Sequence, residues 1–211
     1  LTLGFDTSNY ATSLAVFDTD AKEVVCAKKK FLPVKEGQRG LRQSEALFPH
    51  TAALPGLLQE LAGETPLARV AAIGVSEKPR PAEGSYMPCF LSGVNAASAA
   101  ACVHGVPLVR TTHQQGHVAA ALWSAGRMEL MDVPHLAWHL SGGTTELLLI
   151  TPEGKNVRAE KPGGTSDISA GQLIDRTGKL LGLPFPAGKA PHAPRTDVAA
   201  ADDSTVRVHG L

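Results

Sequence analysis

Leu136-Ala137-Trp138-His139-Leu140-Ser141-Gly142-Gly143-Thr144-Thr145-Glu146-Leu147-Leu148-Leu149-Ile150-Thr151 reads as strand, tight turn, strand. Residues 136–140 are mostly apolar, Ser141 to Thr145 supply hydroxyls and glycines, and residues 146–151 return to a strand pattern. The N-terminus follows the same plan. Residues 1–6 form a short apolar run ending in Asp6-Thr7-Ser8-Asn9, and residues 12–18 form a second strand. That internal echo indicates two related lobes. The paired glycines allow the backbone close to a ligand, and N–H groups in such a turn make an anion nest. A plain β-turn is the competing reading. At Asp6, small hydroxyl residues and N–H groups suit a phosphate or its cation, against a simple Asx-turn.

Working outward, residues 23–32 form a third strand, so the chain opens on an antiparallel hairpin series. Ser44-Glu45 and the leucines after it have helical spacing, with Pro49 and Pro55 predicting a kink or a late start. Residues 70–75 form a strand, 77–88 a structured loop, 91–103 a small-residue helix, and 106–110 a short strand. Strand–helix alternation after three hairpin strands gives an α/β fold. Beyond the central turn, residues 167–183 read as a helix with Asp167 as its N-cap. Asp175 faces a cleft or is a solvated acid paired with Lys179. Gly182 ends the helix, 184–188 is a rigid loop, and 189–211 has no clear period. The organisation expected is a first lobe at 1–131, the start of a second lobe at 132–188, and a poorly specified tail at 189–211.

The 106–110 strand leads into Thr111-Thr112-His113-Gln114-Gln115-Gly116-His117, followed by an Ala-rich helical run. Residues at i and i+4 share a helical face, so two imidazoles there can bind one metal ion. With eight histidines in 211 residues, chance alone supplies such a pair often, and two polar residues near a helix start are the other reading.

Composition sets broader bounds. The chain is 43% hydrophobic with Gly 21 and Pro 15, which suits a globular fold with many turns. Twenty basic residues balance 20 acidic ones, leaving no overall field for nucleic acid or membrane. Cys26, Cys89 and Cys102 are too few and too scattered for a disulfide framework, so a reduced, cytoplasmic setting is expected. The sequence shows no run of eighteen apolar residues and no secretory signal pattern.

Four separated stretches agree on one family. Gly4-Phe5-Asp6-Thr7-Ser8, His113-Gln114-Gln115-Gly116-His117, Ser141-Gly142-Gly143-Thr144-Thr145 and the segment from Asp167 to Gly188 occur in the family's order. The chain thereby resembles the tRNA threonylcarbamoyladenosine transferase family, formerly called glycoproteases. The resemblance implies an actin-like fold, shared with sugar kinases and chaperone ATPases, of two RNase H-like lobes with the second incomplete here. It implies that His113 and His117 ligate iron or zinc, with a further aspartate ligand near the C-terminus. Substrate or nucleotide contacts are implied for Asp6, Ser141, Gly142, Gly143, Thr144, Thr145, Asp175 and Gly188. The expected ligands are threonylcarbamoyl-adenylate or ATP and AMP, with Mg accompanying a nucleotide. The expected partners are tRNA and a companion subunit of the same fold, with no membrane. The reaction implied moves the threonylcarbamoyl group from its adenylate to N6 of adenosine 37 in tRNA.

The chain departs from the family pattern. Asn9-Tyr10-Ala11 stands where Cys-Asp-Glu is usual, Thr144 where the turn carries histidine, and Gln172 where an acid is usual. No counterpart of the C-terminal ligand segment occurs before Leu211, so a fragment, a truncated product or a protein completed by a partner is expected. A non-catalytic scaffold is therefore the alternative, and Ser44-Glu45-Ala46-Leu47-Phe48-Pro49 resembles the companion subunit's helix start. Metal-dependent peptidase activity is disfavoured, because Gln114 occupies the glutamate position of His-Glu-x-x-His.

Overall fold

The computed structural model describes residues 1–8, 10–33, 43–141, 143–183, 187 and the backbone of 205–209. The chain divides into two compact units, Leu1–Gly116 and His117–Leu211.

In the first unit, β1 (Thr2–Asp6), β2 (Ala11–Asp18) and β3 (Glu23–Phe31) form the expected antiparallel series. The helix α1 (Gln43–Glu64) follows, then β4 (Ala72–Lys78), α2 (Phe90–His104) and β5 (Leu108–Thr112). Both β4 and β5 are parallel to β1, giving the sheet order β3-β2-β1-β4-β5, an RNase H-like arrangement. Alternation on β1 and β2 puts Leu3, Phe5, Leu14 and Val16 on one face. There they meet Leu54, Leu57 and Leu61 of α1, Ala97 and Ala101 of α2, and Ile73 and Val75 of β4. Of the two outcomes expected from the prolines, the late start is not found: α1 begins at Gln43 and contains both Pro49 and Pro55. Each proline removes one backbone bond, and burial of Ala53, Leu54, Leu57 and Leu61 on the sheet outweighs that loss.

The second unit begins within α3 (His113–Ser124) and continues through β6 (His135–Leu140), β7 (Thr145–Glu153) and β8 (Asn156–Gly164) to α4 (Ala170–Leu180). Its sheet order is β8-β7-β6-β9, where β9 (Thr205–His209) runs parallel to β6. Strand for strand, β8-β7-β6-β9 repeats β3-β2-β1-β4. Val118, Leu122, Ala137, Leu148, Ile150 and Val157 form its core.

Three elements differ from the sequence expectation. β8 occupies a stretch for which no element was expected, because its exposed Arg158, Glu160 and Lys161 mask the alternation of Val157 and Ala159. β9 lies inside the stretch read as tail, where Thr205-Val206-Arg207-Val208-His209 alternates over only five residues. The N-cap of α4 is Ser169, whose hydroxyl accepts the Gln172 N–H, and not Asp167. Asp167 lies two residues earlier, where its own N–H donates to Thr165 Oγ1 at 3.2 Å.

Candidate metal and substrate site

Asp6 closes β1 and gathers donors. Its Oδ1 accepts the Ser8 N–H at 2.9 Å, which is the Asx-turn. Its Oδ2 accepts from His113 Nδ1 at 2.9 Å. Burial alone would raise the carboxyl pKa. The His113 bond and charge, then Ser76 and the Ser8 N–H, outweigh it and hold Asp6 down to about 2. An ionised carboxylate only accepts, so the facing nitrogen of His113 carries the hydrogen.

The turn is fastened from below. Thr7 is fully buried; its hydroxyl donates to the Cys89 carbonyl at 3.0 Å and accepts the Gly93 N–H at 3.2 Å. A Cβ on Gly93 would lie 2.9 Å from Thr7 Oγ1, so only glycine lets α2 come this near.

His113 is the first residue of α3, and the helix start is specified locally. Gln115 Oε1 accepts the Thr112 N–H at 2.9 Å, while Thr112 Oγ1 accepts the Gln115 N–H at 3.2 Å. This reciprocal pair is a capping box of the form Thr-x-x-Gln. It fixes where the helix begins and so which way His113 leaves it. His117 follows one helical turn later on the same element.

In the second unit His117 packs against His139 of β6, with ring centroids 5.9 Å apart and planes 37° apart. His139 faces Glu146 across the β6–β7 ladder, with Nδ1 to Oε2 at 3.6 Å, too long for a hydrogen bond. Glu146, only 6% exposed, also meets Lys161 at 3.2 Å. His139 and Glu146 were not among the site residues expected from sequence. Their spacing gives no metal or catalytic pattern, and only the strand register brings them together.

The turn between β6 and β7 is closed on itself. Ser141 Oγ accepts the N–H of Gly143 at 3.1 Å and of Thr144 at 2.9 Å. The hydroxyl thus stands where an anion's oxygen would sit in a nest. The start of α4 lies on this turn: Gly171 N–H donates to Ser141 O at 3.2 Å, and Ala170 N–H to Thr145 Oγ1 at 2.7 Å. Asp175 Oδ1 accepts the Ala187 N–H at 2.9 Å, tying the helix to the loop that follows. Of the expected contacts, Gly142 and Gly188 lie outside the described residues.

Chemically, the first unit offers an imidazole oriented by a carboxylate. The second offers a hydroxyl-filled nest at a helix N-terminus, where anions are favoured. Among the described residues no group of three His, Cys, Asp or Glu side chains is arranged to hold an ion. No helix among them is long and apolar enough to cross a membrane.

A family model described as tRNA N6-adenosine threonylcarbamoyltransferase matches residues 33–206. The curated protein of that name from Streptococcus pneumoniae (strain CGSP14) is 29% identical over 189 residues, covering 89% of this chain and 53% of the relative. Its counterpart from Streptococcus suis (strain 05ZYH33) is 29% identical over 191 residues, with 90% and 53% covered. The chain thus spans about half the length of the curated relatives it matches. Among solved structures, a ROK family transcriptional regulator, homolog of E. coli MLC protein, has a TM-score of 0.50 at 14% identity, covering 90% of this chain and 52% of that one. YeaZ from Pseudomonas aeruginosa has a TM-score of 0.42 at 16% identity, with 82% and 70% covered.

Proposed function

From the premise that the chain belongs to the tRNA N6-adenosine threonylcarbamoyltransferase family, with the α/β actin-like fold of its structural relatives, we propose that it transfers threonylcarbamoyl from its adenylate to N6 of adenosine 37 in tRNA. The observation that carries this reading is the family match over residues 33–206, which spans the histidine helix and the Ser141–Thr145 turn. The carbamoyl carbon gains a bond to N6 and loses its bond to the phosphate oxygen. AMP leaves, and N6 gives up a proton.

His113 and His117 are the proposed ligands of one divalent ion, iron or zinc. The donor set fits. A metal-binding histidine keeps its second ring nitrogen bound to a carboxylate, as His113 does with Asp6. When bound, the ion supplies a Lewis acid for the carbamoyl oxygen. Ser141, Gly142, Gly143, Thr144 and Thr145 bind the adenylate phosphate: turning Ser141 Oγ away offers the Gly143 and Thr144 N–H groups to a phosphate oxygen. Asp175 and Gly188 contact the nucleotide. Asp6 faces His113. The two units act as the two lobes, in the cytoplasm, with tRNA and a companion subunit of the same fold as partners.

The test is to supply the full chain with threonylcarbamoyl-adenylate, a tRNA reading codons that begin with A, and a companion subunit, and to measure the modified nucleoside by mass spectrometry. The expected result is threonylcarbamoyladenosine and AMP in equal amounts, both lost in the His113→Ala/His117→Ala variant. A scaffold role is the second reading, favoured by Asn9-Tyr10-Ala11 in place of carboxylates. Tight binding to the companion subunit with no modified nucleoside would select it and overturn the transferase reading.

A further inference from the structure

We infer that Asp6 is the positioning residue of His113 and contacts no nucleotide: it fixes the ring's tautomer and plane so that Nε2 presents the lone pair. The inference rests, for its effect on metal, on the reading of α3 as a metal helix.

The acceptor capacity of Asp6 is largely used. Each of its two oxygens has a donor, the Ser8 N–H on Oδ1 and His113 Nδ1 on Oδ2. A carboxylate meant for a cation or its hydration shell would keep those oxygens open. The turn N–H that a phosphate would need is also committed, because Ser8 donates to Asp6 itself.

The carboxylate cannot easily drift. Asp6 is followed directly by Thr7, whose hydroxyl is locked to Cys89 and Gly93 on α2. On its other side, β1 runs parallel to β4 in register from Thr2↔Ala72 to Phe5↔Val75, which brings Ser76 beside Asp6. The imidazole is also held away from its edge: the buried Phe90 ring lies 6.3 Å from it, inclined at 60°. A ring gripped at Nδ1 by a fixed acceptor, with an aromatic wall beside it, has one orientation for Nε2. Carboxylates in this place typically change metal affinity by about 10–100-fold.

The deciding measurement is the long-range 1H–15N spectrum of the metal-free full chain, with the His113 signals assigned by loss in His113→Ala. The Nδ1–H tautomer is expected; a dominant Nε2–H tautomer overturns the inference. Titration with Co2+ gives the second readout. Asp6→Asn, which keeps the side-chain shape, is expected to weaken binding tenfold or more with an unchanged circular dichroism spectrum, and equal affinity overturns the inference. If the unsubstituted chain takes up no Co2+, the metal reading of α3 fails by itself, while the tautomer still decides the role of Asp6.

Discussion

The two sheets share a strand plan and differ in what they place at its first turn. In the first unit the β1–β2 turn carries a carboxylate bound to an imidazole, and a buried threonine nails it to α2. In the second, the β6–β7 turn folds around the hydroxyl of Ser141 and rests on the start of α4. The scaffold decides where a turn lies; two or three residues decide whether it presents a carboxylate to an imidazole or closes on its own hydroxyl. Thr7 ties the first turn to α2, whereas the second is closed by the Ser141 hydroxyl, by the Ser141 N–H to Thr144 O and by bonds from the start of α4.

The contrast extends to the cores, and the largest effects should appear there. Ile73 of β4 and Ile150 of β7 are both buried, 1% and 0% exposed, in separate clusters. Each isoleucine-to-alanine change should cost about 2–5 kcal/mol. Calorimetry should show each lowering a different transition; a shared single transition displaced equally by both would merge the two regions.

Acid should separate the turns next. The folded pKa of Asp6 is about 2 against 3.8 for the free group. Because the folded value is the lower one, its contribution is full above about pH 4 and fades as the pH falls toward 2, amounting to about 2 kcal/mol. Urea melts of Asp6→Asn against the unsubstituted chain should therefore converge across that window. A constant gap down to pH 2 would deny the Asp6–His113 pair its strength.

The smallest effect belongs to the second turn. Ser141→Ala removes one acceptor from a partly exposed turn and should cost about 0.5–1.5 kcal/mol. It should also free two N–H groups for an anion, so AMP should bind no worse by calorimetry. A large loss of AMP affinity would make the hydroxyl a direct contact and not a stand-in for the phosphate oxygen.

The sequence revealed the hairpins, the parallel crossovers and the helix bearing His113 because each has a strong period or a sharp turn. It hid β8, whose charged outer face breaks the alternation, and β9, which is only five residues long. It read Asp6 as a turn residue or a phosphate contact, but its link to His113 is long-range, 107 positions apart, and no local pattern announces it. His139 and Glu146 escaped notice for the same reason: cross-strand register is a property of the sheet. The capping box at Thr112 and Gln115 was legible and would have fixed the helix start.

The central claim is that α3 is a metal helix, and elemental analysis of the purified full chain tests it most directly. The account predicts about one iron or zinc ion per chain, absent from the His113→Ala/His117→Ala variant while the circular dichroism spectrum is retained. Equal metal content in the two proteins, or none in either after growth and purification with added iron and zinc, would contradict it.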